Sequence, residues 1–284
     1  MVTAPPRVSV VVPSYQNGAY IEATIRSVLA QTFTDFELVV ADHGSSDRTW
    51  ELLQQFTGDE RVRLLTTEPG GGAERNWNRV TEQARGELVK LVCGDDLLEP
   101  SALERQVAAF DAHDEGVVLV ASKRDLIDAS GRHVLRNLGL GGLPTGRVPG
   151  PSAVRRTVLR GANVFGEPAC VLMRRAVLER AGGWSGSPGF VIDQSTYCRV
   201  LLHGDLVTTP ESLASFRISA TQWSVRLAGE QARSVAELHR QLAQLAPGLL
   251  SSRDVAVGNA MAAVRAAQRR LVYLYLRRRM SPDS

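Results

Sequence analysis

The sequence predicts an α/β fold: a mostly parallel sheet flanked by helices, followed by a helical C-terminal extension. Two patterns carry this expectation. Apolar runs of strand length alternate with segments of helical apolar spacing up to residue 121, and from about Gly229 the helical spacing stands alone. Strands separated by helices are joined by right-handed crossovers, so neighbours in such a sheet run parallel.

Val8 to Val12 is apolar but for Ser9 and reads as a buried strand; Ile21, Ile25, Val28 and Leu29 then recur at helical spacing. Phe36 to Ala41 is the second strand. Ser46 and Asp47 are expected to cap the next helix, which carries Trp50, Leu53 and Phe56, because their oxygens accept first-turn amide hydrogens. Val62 to Leu65 is a third strand, Arg75 to Ala84 a third helix and Leu88 to Val92 a fourth strand. Pro100-Ser101 opens a helix with Leu103, Val107 and Phe110 on one side, and Val117 to Ala121 reads as a central strand. Residues 139–151 are rich in Gly and Pro, which predicts a loop and a mobile segment over the site. The chain resumes with a strand from Ala169 to Met173, a short helix around Arg175 to Arg180, a turn at Gly182-Gly183 and a helix from Asp193 to His203. The last helical region is broken at Pro247-Gly248. We expect one domain over residues 1–226, divided near residue 122, and a helical extension over 227–284.

With 44% hydrophobic and 22% charged residues, the 284-residue chain has the composition of a globular protein rather than a disordered one. Its net charge is only +3, and Lys90 and Lys123 are its only lysines. Arginines are spread along the chain, with one cluster at Arg277-Arg278-Arg279, whereas a nucleic-acid surface concentrates its charge; no nucleic-acid partner is expected. Cys93, Cys170 and Cys198 stand far apart, without disulfide-framework or zinc spacing, which suits a reducing compartment. The N-terminus lacks the layout of a secretory signal, and no apolar run approaches the roughly 20 residues that cross a bilayer. The expected location is the cytoplasm.

Asp95 and Asp96 follow the fourth strand, at the carboxyl end where open α/β sheets place their chemistry, and Gly94 is expected to let the backbone approach a ligand. Two adjacent carboxylates repel unless a cation or hydrogen bonds offset them. Mg²⁺ or Mn²⁺ fits, because such ions bind through one or two carboxylates plus substrate phosphates; a solvated Asp-Asp turn is the alternative. Other candidates lie at the carboxyl ends of the neighbouring strands. Pro13-Ser14-Tyr15-Gln16-Asn17 follows the first, Asp42 ends the second, and Arg75 opens the third helix after Gly70-Gly71-Gly72. A ring to lie against a base, a carboxylate for base or ribose and an arginine for diphosphate together make a nucleotide pocket, although each alone also suits packing, a turn cap or a surface charge.

Val11-Val12-Pro13-Ser14-Tyr15-Gln16-Asn17, Val39-Val40-Ala41-Asp42-His43-Gly44-Ser45-Ser46-Asp47, Ala73-Glu74-Arg75-Asn76 and Gly94-Asp95-Asp96 resemble, in wording, order and spacing, the inverting glycosyltransferases of family 2. The resemblance implies the Rossmann-like GT-A fold, a nucleotide-diphosphate sugar donor, UDP-linked by default, and Mn²⁺ or Mg²⁺ as cofactor. It divides the domain into a donor half (about 1–122) and an acceptor half (123–226). It carries over Pro13, Tyr15, Asn17, Asp42, Arg75 and Asp95 as donor contacts, with Asp96 and Asp95 as metal ligands. Arg217 falls where relatives have a basic residue near the diphosphate. Cys93 stands where many members carry a further acidic residue, and a soft thiol is a poor Mg²⁺ ligand.

Transfer also needs a base for the acceptor hydroxyl. Asp193, ahead of Arg199 and Gly204, resembles the family's acceptor-side aspartate, with Ile192 replacing the usual glutamate; a helix N-cap is the competing role. Glu167 is the second candidate base or an acceptor contact. Trp184 after Gly182-Gly183 is read either as a ring stacked on an acceptor sugar or as a core tryptophan, and Gln194 is placed with the acceptor residues. His43 and His203, single histidines without spaced partners, are expected in packing or surface roles. The acceptor is expected to be a hydroxyl of a glycan, lipid-linked or small-molecule type.

Arg265, Arg269 and Arg270 flank the apolar run from Leu271 to Leu276, which suits either peripheral contact with the inner face of the cell membrane or packing on the domain or on a second copy as a homodimer. Other function classes fit less well. A non-catalytic nucleotide-sugar-binding protein would not need both acidic ligands and a base. A sugar nucleotidyltransferase would carry a glycine-rich basic loop where Pro13-Ser14-Tyr15 stands, and no Gly-x-Gly-x-x-Gly marks a dinucleotide enzyme.

Overall fold

The computed structural model describes residues 4–185, 191–219 and 230–276, with only the backbone for 273–276. The boundary expected at 226/227 and the Arg277-Arg278-Arg279 cluster lie outside the described residues. The chain runs β1 (Val8–Ser14), α1 (Ile21–Leu29), β2 (Phe36–Asp42), α2 (Thr49–Gln54), β3 (Val62–Thr66), α3 (Gly72–Glu82), β4 (Leu88–Leu91), β5 (Leu97–Leu98) and α4 (Ala102–Asp111). It continues through β6 (Val117–Ile127), β7 (His133–Leu138), β8 (Gly146–Val148), α5 (Gly150–Arg160), β9 (Val171–Arg174), α6 (Arg175–Arg180), α7 (Ile192–Leu201) and β10 (Asp205–Arg217). Two helices end it, α8 (Gln231–Leu245) and α9 (Ser252–Leu276).

The main sheet has the order β3-β2-β1-β4-β9-β6-β10-β5, with β7 added on β6 and β8 on β10. Strands β3, β2, β1 and β4 are parallel throughout, as the alternation of strands and helices requires. Every residue of β1 and β2 is buried, because helices cover both faces; hence their mainly apolar runs, in which the enclosed Ser9 donates to Glu37 Oε1 at 2.6 Å. Beyond β4 the sheet is mixed. β9 is antiparallel to both β4 and β6, while β10 runs parallel to β6.

Residues 139–151, expected as a loop, hold a 3-10 turn at Leu140–Gly142, strand β8 paired with β10, and the start of α5. Their Gly and Pro residues punctuate short elements; Pro149 precedes α5 and Pro151 sits in its first turn, where its missing N–H costs nothing. Asp47 accepts the Thr49 amide at 3.0 Å as expected of a helix start, but Ser46 instead accepts Gln16 Nε2 at 2.8 Å.

Helices α8 and α9 join the same core as the sheet through Val235, Leu238, Leu242 and Ala262. The joint depends on Gly161, which ends α5 at φ +59°, where a Cβ would fall 2.3 Å from the Ala262 nitrogen. One of the fully enclosed polar residues is a lysine. Lys90, in the middle of β4, donates to Gln106 Oε1 at 2.8 Å and to the Val171 carbonyl at 3.3 Å, and burial pulls its ammonium down to about 7. Among the described residues no helix is long and apolar enough to cross a membrane.

Candidate active site

Cys93 to Asp96 turn away from the end of β4, and the turn closes with the Asp96 amide on the Cys93 carbonyl at 3.1 Å. Asp96 is fully buried. Its Oδ1 accepts the Arg217 backbone amide at 3.1 Å, while its Oδ2 has no hydrogen-bond partner. Burial, followed by the charge of Asp95, pushes its carboxyl well above the ordinary range. A buried orphan oxygen on a carboxylate beside a second carboxylate is what a divalent cation would relieve. No group of three or more His, Cys, Asp or Glu side chains suited to a metal occurs among the described residues, so a cation here would depend on ligands from the substrate.

Arg217 lies at the end of β10 and braces the same turn. Its Nε donates to the Asp95 carbonyl at 2.9 Å, its Nη1 to the carbonyls of Asp128 and Ala129 at 3.1 and 3.2 Å, and its guanidinium lies 4.6 Å from the Tyr20 ring centre. It is only 4% exposed, so in this arrangement the guanidinium serves the backbone rather than open solvent. Gly94 lies against Asn17. A Cβ there would come within 2.5 Å of Asn17 Oδ1, so its bareness makes room for Asn17.

On the nucleotide side, Asn17 Oδ1 accepts the Tyr15 amide at 2.9 Å and the Ser14 hydroxyl at 3.2 Å, folding the chain that follows buried Pro13. This leaves the Tyr15 ring 57% exposed, edge-on to His43 with centres 6.2 Å apart. His43 is a packing residue: Nε2 meets the Gly70 carbonyl and Nδ1 the Thr67 hydroxyl, both at 2.8 Å. The Asp42 carboxylate holds Ser45 through its hydroxyl at 2.5 Å and its amide at 3.1 Å. Arg75 is exposed in the first turn of α3, its methylenes lying over Gly71, where a Cβ would fall 2.4 Å from its Cδ.

On the acceptor side, Asp193 occupies the first turn of α7. Asn163 Nδ2 donates to its Oδ2 at 2.8 Å, and the Gln194 amide to its Oδ1 at 2.7 Å. Burial raises its carboxyl to about 6; the negative charge of Glu167 adds to the rise and the positive charge of Arg269, from α9, opposes it. Glu167 itself is paired with Arg124, whose Nη2 reaches Oε1 at 2.9 Å. The Cys93 thiol reports how these groups gather. Burial raises it first, and then the charges of Asp96, Asp95, Asp193 and Glu167. Carboxylates from three separate stretches of chain therefore act on one point.

Two acceptor expectations are corrected. Trp184 is 2% exposed, donates from Nε1 to Thr81 Oγ1 at 2.9 Å and meets Trp77 and Tyr197 edge-on, so its ring belongs to the core and is not available to stack on a sugar. Gln194 is equally enclosed, its Nε2 3.3 Å from Thr157 Oγ1 on α5. Sequence reasoning missed Asn163, Arg124 and Arg269. Asn163 carries no motif, and Arg124 and Arg269 become visible only through the pairing of distant segments.

The sequence matches the profile of glycosyl transferase family 2 over residues 9–182. An uncharacterized protein of Mycobacterium tuberculosis (strain CDC 1551 / Oshkosh), MT1568, is 34% identical over 261 residues, which cover 89% of this chain and 79% of that protein. TarS of Staphylococcus aureus, a poly(ribitol-phosphate) beta-N-acetylglucosaminyltransferase, is 32% identical over 118 residues, 40% of this chain but only 21% of TarS. A crystal structure of TarS residues 1–349 with UDP-GlcNAc superposes with a TM-score of 0.67 at 21% identity, covering 84% of this chain and 66% of that one. The mannosyltransferase PcManGT of Pyrobaculum calidifontis, solved with GDP-Man and Mn²⁺, superposes with a TM-score of 0.62 at 17% identity, covering 96% and 82%. A profile match over more than half the chain, on a sheet that these transferases share, makes this protein a family 2 glycosyltransferase with the GT-A fold.

Proposed function

We propose that this protein is an inverting transferase that moves a sugar from a nucleotide-diphosphate donor, UDP-linked in the first instance, to an acceptor hydroxyl of a cell-envelope glycan or its lipid-linked precursor. The observation that carries the reading is the gathering of Asp95, Asp96, Asp193 and Glu167 about Cys93, which sets the acidic turn of the donor half against a carboxylate poised near 6. The donor class is supported by the exposed Tyr15 ring edge-on to His43, the residue after Asp42, and by the UDP-GlcNAc held by TarS. The acceptor class is supported by TarS, whose acceptor is poly(ribitol-phosphate).

Asp96, through its orphan Oδ2, and Asp95 would hold Mn²⁺ or Mg²⁺, which when bound offsets charge on the departing diphosphate. Arg75 supplies further positive charge on that side, and the Arg217 contacts hold the turn in place. Asp193 takes the proton from the acceptor hydroxyl as its oxygen attacks the anomeric carbon and the nucleotide diphosphate leaves from the opposite face. A carboxylate near 6 is largely ionised at neutral pH and still basic enough to accept that proton. Asn163 aims it, by fixing Oδ2.

The test is a thermal-shift series of nucleotide diphosphates with and without Mn²⁺, since ligand stabilisation follows RT ln(1 + [L]/Kd). One base should stand out, with a shift that needs the cation and is lost in Asp96→Asn. Asp193→Asn should keep that shift and lose sugar transfer. A cation-independent shift would remove the metal from the reading, and transfer by Asp193→Asn at the wild-type rate would remove the base.

A further inference from the structure

Arg156 and Arg160, one turn apart on α5, both reach Gly142. A Cβ there would fall 2.6 Å from Arg156 Nη2 and 3.0 Å from Arg160 Nη2, so the two nitrogens are no more than about 5.6 Å apart, the sum of those distances. Arg156 also braces the loop. Its Nε donates to the Gly141 carbonyl at 3.1 Å and its Nη2 to the Gly142 carbonyl at 3.3 Å. Arg160 makes no hydrogen bond or ion pair among the described residues, and its Nε is sealed from solvent without a partner. Neither arginine pairs with a carboxylate there, whereas Arg155 beside them holds Asp254 at 2.7 Å. The negative end of the α5 dipole favours a cation in its last turn, but a guanidinium serving only the dipole bonds the terminal carbonyls or faces water. Arg160 Nε does neither. A part-buried cation beside a like charge is costly until an anion joins them.

The pair borders the acceptor side. Arg160 stands three residues before Asn163, which holds Asp193, so at most about 11 Å separates the Cα atoms of Arg160 and Asn163. Gly141 packs on the next residue, where a Cβ would fall 2.4 Å from Val164 Cγ1. Thr157, between the two arginines, accepts the Val164 amide at 3.4 Å and Gln194 Nε2 at 3.3 Å. We propose that Arg156 and Arg160 bind a phosphate group carried by the acceptor, beside the hydroxyl that Asp193 deprotonates. The acceptor role rests on the reading above; the phosphate site itself does not. A carboxylate is matched by the fork of one guanidinium, whereas a tetrahedral phosphate directs oxygens to both. The donor diphosphate belongs to the acidic turn and Arg75, on α3. The phosphate has two chemical sources: a diphosphate joining the acceptor sugar to a lipid carrier, or the phosphodiesters of a polymer.

Titration calorimetry on the full chain, with inorganic pyrophosphate and a chelator that removes divalent metal, tests the site. The wild type should bind, and Arg160→Gln should bind at least about tenfold more weakly, as loss of a charge-assisted contact implies. Its melting should match wild type, because Arg160 makes no bond that holds the fold. Arg75→Gln, on the donor side, and Arg105→Gln, an exposed arginine of α4, should bind pyrophosphate like wild type. Geranyl diphosphate and an oligomer of glycerol phosphate separate the sources: the probe that loses more affinity in Arg160→Gln identifies the carrier as lipid or polymer. A wild type that does not bind pyrophosphate, equal weakening by Arg105→Gln, or binding that needs Arg75 and not Arg160 would overturn the proposal. So would binding of both carrier probes without regard to Arg160. A nucleotide series without a response would instead remove the donor reading and leave Arg160-dependent pyrophosphate binding in place, so the two failures are distinguishable.

Discussion

Asp193→Asn should make the protein more stable while slowing transfer sharply, and the gain should grow with pH. The folded state raises this carboxyl from its ordinary 3.8 to about 6, chiefly by burial. The native protein thus binds the proton more tightly than the unfolded chain does. Stability falls as pH rises from about 4 to 6, and above 6 the full penalty of the buried charge is present. That penalty is about 3 kcal/mol at pH 8 and about half as much at pH 5. The asparagine avoids it but gives up one of the two acceptors that now serve Asn163 and the Gln194 amide, a loss of about 1 kcal/mol. The net expectation is a gain of about 2 kcal/mol at pH 8 and less than about 1 kcal/mol at pH 5, read by urea titration at both pH values. Transfer should fall by roughly 10²- to 10⁴-fold with donor binding kept. A gain no larger at pH 8 than at pH 5 would refute the buried-charge reasoning, whatever happens to activity.

Neighbouring charges should move the pH profile in opposite directions. Glu167→Gln removes a charge that raises Asp193, so the acid limb of kcat/KM should shift to lower pH; Arg269→Met removes the opposing charge and should shift it higher. Shifts of the same sign would refute the assignment, and because Glu167→Gln leaves Arg124 without its ion pair, its profile is best taken well below its lowered Tm. Lys90 gives a pH effect of its own. Its ammonium is held down at about 7, so the unfolded chain binds the proton more tightly and wild-type stability should rise between pH 7 and 9. Lys90→Met should lose that rise, as urea midpoints at the two pH values would show; an unchanged rise would place its origin elsewhere.

The donor half was largely legible from local pattern. β1, β2 and β4 are buried along their length, so each appears as a mainly apolar run, and β1 to β4 lie where those runs do, although β3 is only part-buried. The acceptor half was less so. β10 begins Asp205-Leu206 and carries Pro210, Glu211 and Ser212 at an irregular stretch of its pairing with β6, so no run or strict alternation marks it. α5 hid behind the Gly and Pro residues that open it. Trp184 shows the same limit for a site residue. The turn at Gly182-Gly183 was readable, but which way the indole points is decided by Thr81 and Asn78 on α3, about a hundred residues earlier.

What the amino-acid order determined alone is the order of elements and the presence of an acidic turn, an aromatic loop and a later aspartate, because caps, periodicity and turn residues act over a few neighbours. Only the tertiary structure decided that the aspartate and the acidic turn act on the same thiol, that Arg217 braces that turn, and that the charge of Arg269 on the last helix bears on Asp193. Those are consequences of desolvation and of charges brought together by distant pairings, and neither quantity exists until the sheet has closed around them.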